Sequence, residues 1–182
     1  DLDLIESVSE NKKSEEIITL SFDELDQIKN IELTSIALIN ARKWLILGCY
    51  LGQRGSDLLR ITVKNIVNIE GNSFIELEQQ KGGKKVVIPI LAEAEEIIQS
   101  GIPYKISMVK FNKHIKKVGE EAGIIQPMKG KIRDEETNLN KEGVYPKYKL
   151  IGSHVCRRSF ATNFYGEIPT PVLIGITGHS TE

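Results

Sequence analysis

The segment Ser35–Leu51, SIALINARKWLILGCYL, constrains this chain more than any other. It is the most apolar stretch, and at the rise of an α-helix its length makes about four turns. A segment of that kind has to be buried as a helix, with the rest of the chain arranged around it. Arg42 and Lys43 interrupt it. No apolar run here approaches the roughly 18 residues that a membrane span requires. The chain has 182 residues, 40% hydrophobic and 27% charged. That is ordinary globular composition, enough to bury a core without a disulfide or metal staple.

The pattern on either side supplies the other elements. Residues 1–18 are polar and aperiodic and read as a linker or tail. The opening DLDLIESVSE lacks the basic start of a signal peptide, and the absence of an initial Met leads us to expect a fragment or processed product. Ser21 and Glu24 form a capping box, followed by Phe22, Leu25 and Ile28 at helical spacing. Gly52 can end the apolar helix, and GQRGSDLLRIT reads as a turn and a short helix starting at Ser56 or Asp57. The period then changes to two. Val63, Ile66, Val67 and Ile69, then SFIELEQ, then KKVVIPI predict a three-stranded antiparallel meander. Gly71-Asn72 and Gly82-Gly83 mark its turns, and Pro89 a strand end or edge.

Helical pattern returns at LAEAEEIIQS, and again from Ser107, with Val109, Phe111, Ile115 and Val118 on one side and a stop near Gly123. Residues 126–150 are rich in Lys, Gly, Asn and Pro and read as a long loop or small insertion. Ser153 is placed to cap a helix, HVCRRSFATNFYG, ended by Gly166. Thr170-Pro171 pairs an N-cap with Pro at the first helical position, and VLIGIT runs into Gly178-His179. The expected fold class is α+β, mainly α-helical, with a small antiparallel sheet.

The net charge of −1 hides an asymmetry. Residues 1–34 hold ten acids and three bases, whereas residues 101–158 hold thirteen bases and six acids. A basic middle fits a polyanion partner, although a solvated lysine-rich face would look the same. Cys49 and Cys156 lack metal-ligand spacing and read as reduced thiols of a cytosolic protein, Cys156 as a small buried side chain. The dense acids lie in the N-terminal tail and in Asp134-Glu135-Glu136, a run that reads as solvated. No metal cage is expected from them.

Five residues carry the chemistry. His154 and Arg157, at i and i+3, share a helix face in the first turn, where open N–H groups and a guanidinium make a corner for a phosphate. Arg54 follows the buried helix in GQRGSD, Lys81 sits at a hairpin tip in QKGG, and His179 follows Gly178. Each has a plain structural use: a solvated helix start, a helix C-cap, a turn lysine, a terminal cap. Together they form a cationic and imidazole set suited to a phosphodiester.

The order RGSDL, QKGGK, HVCRRSFAT and TGHS resembles the catalytic domain of tyrosine recombinases, the integrases of phages and bacterial mobile elements, over residues 19–182. The resemblance implies that Arg54 and Arg157 hold the scissile phosphate, His154 accepts a proton or hydrogen bond near the nucleophile, and Lys81 protonates the leaving 5′-hydroxyl. His179 would donate to the phosphate. A tyrosine attacks, and neither cofactor nor metal is implied. The implied partners are duplex DNA, further copies in a tetrameric synapse, and accessory DNA-bending proteins. The implied location is the bacterial cytoplasm at the nucleoid.

The family's tyrosine follows the last histidine by about nine residues, whereas this sequence stops three residues after His179. Tyr50, Tyr104, Tyr145, Tyr148 and Tyr165 all precede it, and Tyr165 reads as a packing residue. The expectation is therefore a catalytic domain truncated before its nucleophile, with residues 1–18 leading toward a missing N-terminal DNA-binding domain. Phosphate contacts are expected from Lys110, Lys113, Lys116, Lys117 and Arg158. Two other readings compete: a non-catalytic DNA-binding module on the same fold, and a phosphohydrolase using His154 as nucleophile.

Overall fold

The computed structural model describes residues 16–134 and 136–178. In chain order these form α1 (Phe22–Asn30), α2 (Ile36–Leu51), α3 (Gly55–Leu58), β1 (Ile66–Ile69), β2 (Asn72–Glu78), β3 (Lys85–Pro89) and α4 (Ala92–Gln99). There follow α5 (Met108–Glu121), β4 (Pro127–Arg133), β5 (Asn140–Pro146), α6 (Lys147–Leu150), α7 (His154–Asn163) and α8 (Thr170–Thr177). The architecture is helical around α2, with an antiparallel sheet ordered β1-β2-β3 and a separate β4-β5 hairpin.

The apolar segment forms the expected helix and is the centre of the core. Ala41, Trp44, Leu45, Leu47, Cys49 and Leu51 are buried. Ser35 caps its start through the Leu38 N–H, and Gly52 ends it in the left-handed region at φ 67°. Two polar side chains of α2 pin the segment before α5. Asn40 Nδ2 and Trp44 Nε1 both donate to the Tyr104 carbonyl, at 3.0 and 2.9 Å.

Helix α7 packs directly on α2, and glycine makes the approach possible. A Cβ on Gly48 would lie 2.5 Å from Cys156 Sγ, and one on Gly52 2.5 Å from Phe160 Cδ1. Both cysteines are buried and free. The Cys49 thiol, hydrogen-bonded to Cys156, and then burial push the Cys156 thiol well above its ordinary pKa.

The capping box of α1 is present, with Glu24 accepting from the Ser21 N–H at 2.8 Å. The same carboxylate accepts from Lys147 Nζ at 2.6 and 2.7 Å, a buried ion pair joining α1 to α6. Phe22 lies at the rim, its ring 5.5 Å from that of Phe164 and 6.2 Å from that of Tyr50.

The meander has the expected order, with one shift of register. Ile69 pairs with Asn72, so the β1–β2 turn is Glu70-Gly71 rather than Gly71-Asn72. Both turn residues have positive φ, 51° and 85°, as a two-residue hairpin turn demands. Val63 lies in a short 3-10 turn before β1. Ile75, Leu77, Val86 and Ile88 face the core, and Pro89 ends β3.

Several expectations are corrected. Of the two readings of residues 126–150, a long loop or a small insertion, the long loop is excluded, for the stretch holds a hairpin and the short helix α6. Strands β4 and β5 pair from Pro127↔Pro146 to Arg133↔Asn140. Met128, Gly130 and Ile132 turn inward while Lys129, Lys131 and Arg133 turn out, a period of two that the lysines and glycines disguise. Asp134 is not merely solvated. It pairs with Lys141 and accepts from the Thr137 N–H and hydroxyl, which hold its carboxyl down at about 2. Ile18 is buried and Glu16 accepts from the Lys129 N–H at 3.0 Å, so the packed chain begins before residue 19. Val109 is 78% exposed, outside the Phe111–Ile115–Val118 face. The cap of α8 is Pro169, with Thr170 at its first position.

Because Glu24 and Lys147 are both buried, removing one strands the other. Lys147→Met should lower the unfolding free energy by about 3–5 kcal/mol, and the double variant Glu24→Leu/Lys147→Met should recover most of that loss. Urea denaturation of the three proteins measures both changes.

Candidate functional site

The site is built where α2 ends. Gly52 turns the chain, Gln53 is fully buried, and Arg54 becomes the N-cap of α3. Ser56 and Asp57, expected to start that helix, lie inside it. The next residue, Gly55, sits against two other elements. A Cβ there would lie 2.8 Å from Ser153 Cβ and 2.8 Å from Met108 Cε. The Arg54 turn is thereby pressed onto the start of α7, where His154 is the first helical residue.

Ser153 does not cap α7 with its hydroxyl. Its own backbone is helical, at φ −55° and ψ −25°, and its N–H donates to Asn112 Oδ1 at 2.7 Å. The first turn of α7 therefore carries no side-chain cap. His154 and Arg158, four residues apart, share an exposed face, while Arg157 is 7% exposed.

Arg157 and Arg54 are electrostatic neighbours. Burial, then the Arg54 charge, lowers the Arg157 guanidinium to about 10, and Asp57 opposes the shift. Arg54 Nη2 donates to the Gly178 carbonyl at 3.4 Å, and its Nη1 is buried without a hydrogen-bond partner. Two guanidiniums that feel one another's charge, one of them buried, favour negative charge beside them. Asp57 is the buried counter-charge, and its Oδ1 accepts from Arg60 Nη2 and from the Gln80 N–H, each at 2.9 Å.

The Gln80 bond ties in the Lys81 turn. Lys81 is exposed at the β2–β3 tip, where Gly82 and Gly83 have φ of 91° and 62°. Gln79 Nε2 donates to Gln53 Oε1 at 2.8 Å and to the Ile176 carbonyl at 3.2 Å. Gln53 Nε2 donates to Ile176 as well, at 2.9 Å. The Arg54 turn, the Lys81 turn and the end of α8 are thus stitched together by two buried amides. Gly178 closes α8 at φ 65°, and a Cβ on it would lie 2.5 Å from Gln79 Oε1. His179 lies outside the described residues.

Gln53 and Gln79 are unmarked by any motif in the sequence, and Asp57 is marked there only as a helix start. Gln79 carried a signal, for it continues the core-facing register Ile75–Leu77–Gln79 of SFIELEQ. An amide at a position that calls for an apolar side chain has to be hydrogen-bonded inside.

The basic face of α5 is distinct. Phe111, Ile115 and Val118 point inward, and Lys110, Lys113 and Lys117 are exposed, with Lys116 half-buried. Lys117 pairs with Glu120 and Glu121 on its own helix, at 2.8 and 3.1 Å. Lys110 lines a cleft of about 640 Å³ with Tyr104, Lys105, Ser107 and His114. Tyr165 is 73% exposed rather than packed, past the C-terminal end of α7 and away from Arg157 near its start. Among the described residues no helix is long and apolar enough to cross a membrane.

No family model and no curated protein matches the chain. Solved structures do. XerH site-specific recombinase bound to difH substrate in a pre-cleavage complex aligns with a TM-score of 0.63 at 17% identity, over 92% of this chain and 49% of that one. The lambda integrase catalytic core aligns with a TM-score of 0.59 at 16% identity, over 91% of this chain and 94% of that one. A lambda integrase tetramer bound to a Holliday junction aligns with a TM-score of 0.58 at 16% identity, over 92% of this chain and 49% of that one. The chain has the fold of the tyrosine recombinase catalytic domain, and spans about half the length of the XerH and tetramer chains.

Linkage follows from the depressed Arg157 value. From about 10 upward the unfolded chain binds more protons at this group than the folded one, so at neutral pH the folded state carries the whole cost of the charge. An anion that favours the charged form offsets the cost. Inorganic phosphate should raise the melting temperature more than NaCl of equal ionic strength, with the increment falling as pH passes about 10. Arg54→Gln should lose most of the increment; an equal response in that variant would remove the anion site.

Proposed function

We propose that this chain is the catalytic domain of a site-specific DNA recombinase of the tyrosine type. The observation that carries the proposal is the Arg54–Arg157 pair, one guanidinium just past the end of α2 and one in the first turn of α7, the second buried and made costlier to charge by the first, so that the pair demands negative charge nearby. The scissile phosphate of duplex DNA answers that demand. Two bidentate donors would grip its non-bridging oxygens and stabilise the extra negative charge of the pentacovalent transition state.

The remaining groups take roles around that phosphate. A tyrosine, supplied from sequence beyond Glu182, attacks phosphorus. The Tyr Oη–P bond forms and the P–O5′ bond breaks. The tyrosine proton passes toward His154, and Lys81 Nζ gives a proton to the departing 5′ oxygen. His179 donates to a phosphate oxygen. The product is a 3′-phosphotyrosyl link that conserves the energy of the broken bond, so rejoining needs no nucleotide cofactor. The exposed Lys110, Lys113 and Arg158 supply sequence-independent phosphate contacts, with Lys116 and the internally paired Lys117 weaker contributors. Assembly into a tetramer on DNA in the bacterial cytoplasm, aided by DNA-bending proteins, completes the reading. Residues 1–15 would lead to the domain that clamps the other side of the duplex.

Nicked duplexes with randomised cores, incubated with the protein extended beyond Glu182, test this directly. Covalent adducts should form and their sequencing should identify the cleaved site, while residues 1–182 alone should form none. Arg157→Ala should cut adduct formation by roughly 10²–10³-fold and weaken DNA binding only a few-fold. Lys110→Ala and Lys113→Ala should each reduce the slope of log affinity against log salt by about one. Binding without any adduct from the extended protein would favour a DNA-binding module instead.

A further inference from the structure

We propose that Gln79 is a positioning residue for the proton-transfer step: its buried amide holds the Lys81 turn to the Arg54 turn and to the end of α8. The inference rests on the reading above, in which Lys81 protonates the leaving oxygen.

The tip of that turn has little to hold it. Lys81, Gly82, Gly83 and Lys84 are exposed, and a Cβ on Gly82 would meet nothing within 4 Å. Two backbone bonds close the turn, Gln79 N–H to the Lys84 carbonyl at 2.8 Å and Gly83 N–H to the Gln79 carbonyl at 3.1 Å. Those bonds shape the turn but do not place it. Placement comes from the base. Gln80 N–H donates to Asp57, Lys84 Nζ donates to the Gly175 carbonyl at 3.1 Å, and the Gln79 amide reaches Gln53 and Ile176. The Lys84 anchor is exposed and competes with water. The Gln79 amide is 2% exposed, so its bonds act where water does not compete.

An amide is a costly choice at this register. Ile75 and Leu77 occupy the two preceding core-facing positions, and an apolar side chain at 79 would pack without a desolvation cost. What a leucine could not do is connect. The Nε2 group of Gln79 donates to two acceptors on two different segments, the residue before Arg54 and a residue near the end of α8. Directional bonds of this kind select one relative placement of three segments, which packing alone would leave free to slide. A general acid must lie within hydrogen-bond reach of the oxygen it protonates, so sliding of the turn costs rate at that step.

The test separates proton transfer from the rest of the chemistry. In the duplex identified from covalent adducts, the 5′ bridging oxygen at the cleavage position is replaced by sulfur. A thiolate departs without a general acid, because a thiol has a pKa of about 8.5. With the oxygen substrate, Gln79→Leu and the milder Gln79→Asn should slow adduct formation by roughly ten- to a hundredfold, in the direction of Lys81→Ala. With the sulfur substrate all three variants should return to within a few-fold of the parent.

In residues 1–182, hydrogen exchange at amides 80–84 should quicken at least about tenfold in both Gln79 variants, while α2 and α7 stay protected. Equal slowing on both substrates would make Gln79 a merely structural residue and overturn the inference, as would unchanged exchange in the turn. An unmodified protein that forms no adduct with either substrate would instead remove the recombinase reading, and the exchange result would still decide whether Gln79 places the turn.

Discussion

The close crossing of α2 and α7 is the constraint on which the site depends. Gly48 lies inside α2 and Gly52 closes it four residues on, Cys156 and Phe160 lie four apart on α7, and each glycine leaves the room its opposite number fills. Glycine inside a helix costs about 1 kcal/mol relative to alanine. At Gly48 that cost accompanies a contact that no larger residue would allow. Arg54 lies two residues beyond Gly52, and Arg157 lies between Cys156 and Phe160. The same contact that packs the core therefore brings the two guanidiniums together.

The rest of the site is held by polar groups working inside the fold. Gln53, Gln79 and Asp57 are all buried, and each joins segments far apart in the chain. Apolar packing is non-directional and would hold these turns near one another in several arrangements. Hydrogen bonds with fixed donors and acceptors admit one. The Glu24–Lys147 pair does comparable work elsewhere in the fold, where it joins α1 to α6 through a carboxylate that also serves a capping box.

Electrostatics turns the arrangement into a site. The burial that makes Arg157 a well-packed side chain also weakens its hold on a proton, and the neighbouring Arg54 adds to that. A fold that keeps two like charges close in a partly dry place forgoes stability. In the proposed function the scissile phosphate restores it. The exposed lysines of α5 differ: they are solvated and their charge is screened by salt.

Local chemistry was legible wherever it decides an outcome within a few residues. The helix Ile36–Leu51 and the burial of its C-terminal half, the Gly52 stop, the Ser21–Glu24 capping box and the meander of β1 to β3 follow from hydropathy period and turn residues alone. Candidate residues Arg54, Lys81, His154 and Arg157 could be picked out by type and by place at element ends. The β4–β5 hairpin was hidden because lysine and glycine outweighed a period-two pattern. Ser153 was misjudged because capping depends on backbone angles that residue type does not dictate. Only the tertiary structure decided that Arg54 and Arg157 share an electrostatic environment and that Gln53 and Gln79 bridge three segments. Those facts depend on which side chains meet across more than 20 to over 120 positions of chain. Sequence period carries no record of such meetings, because it reports which face of an element is buried and not what lies against it.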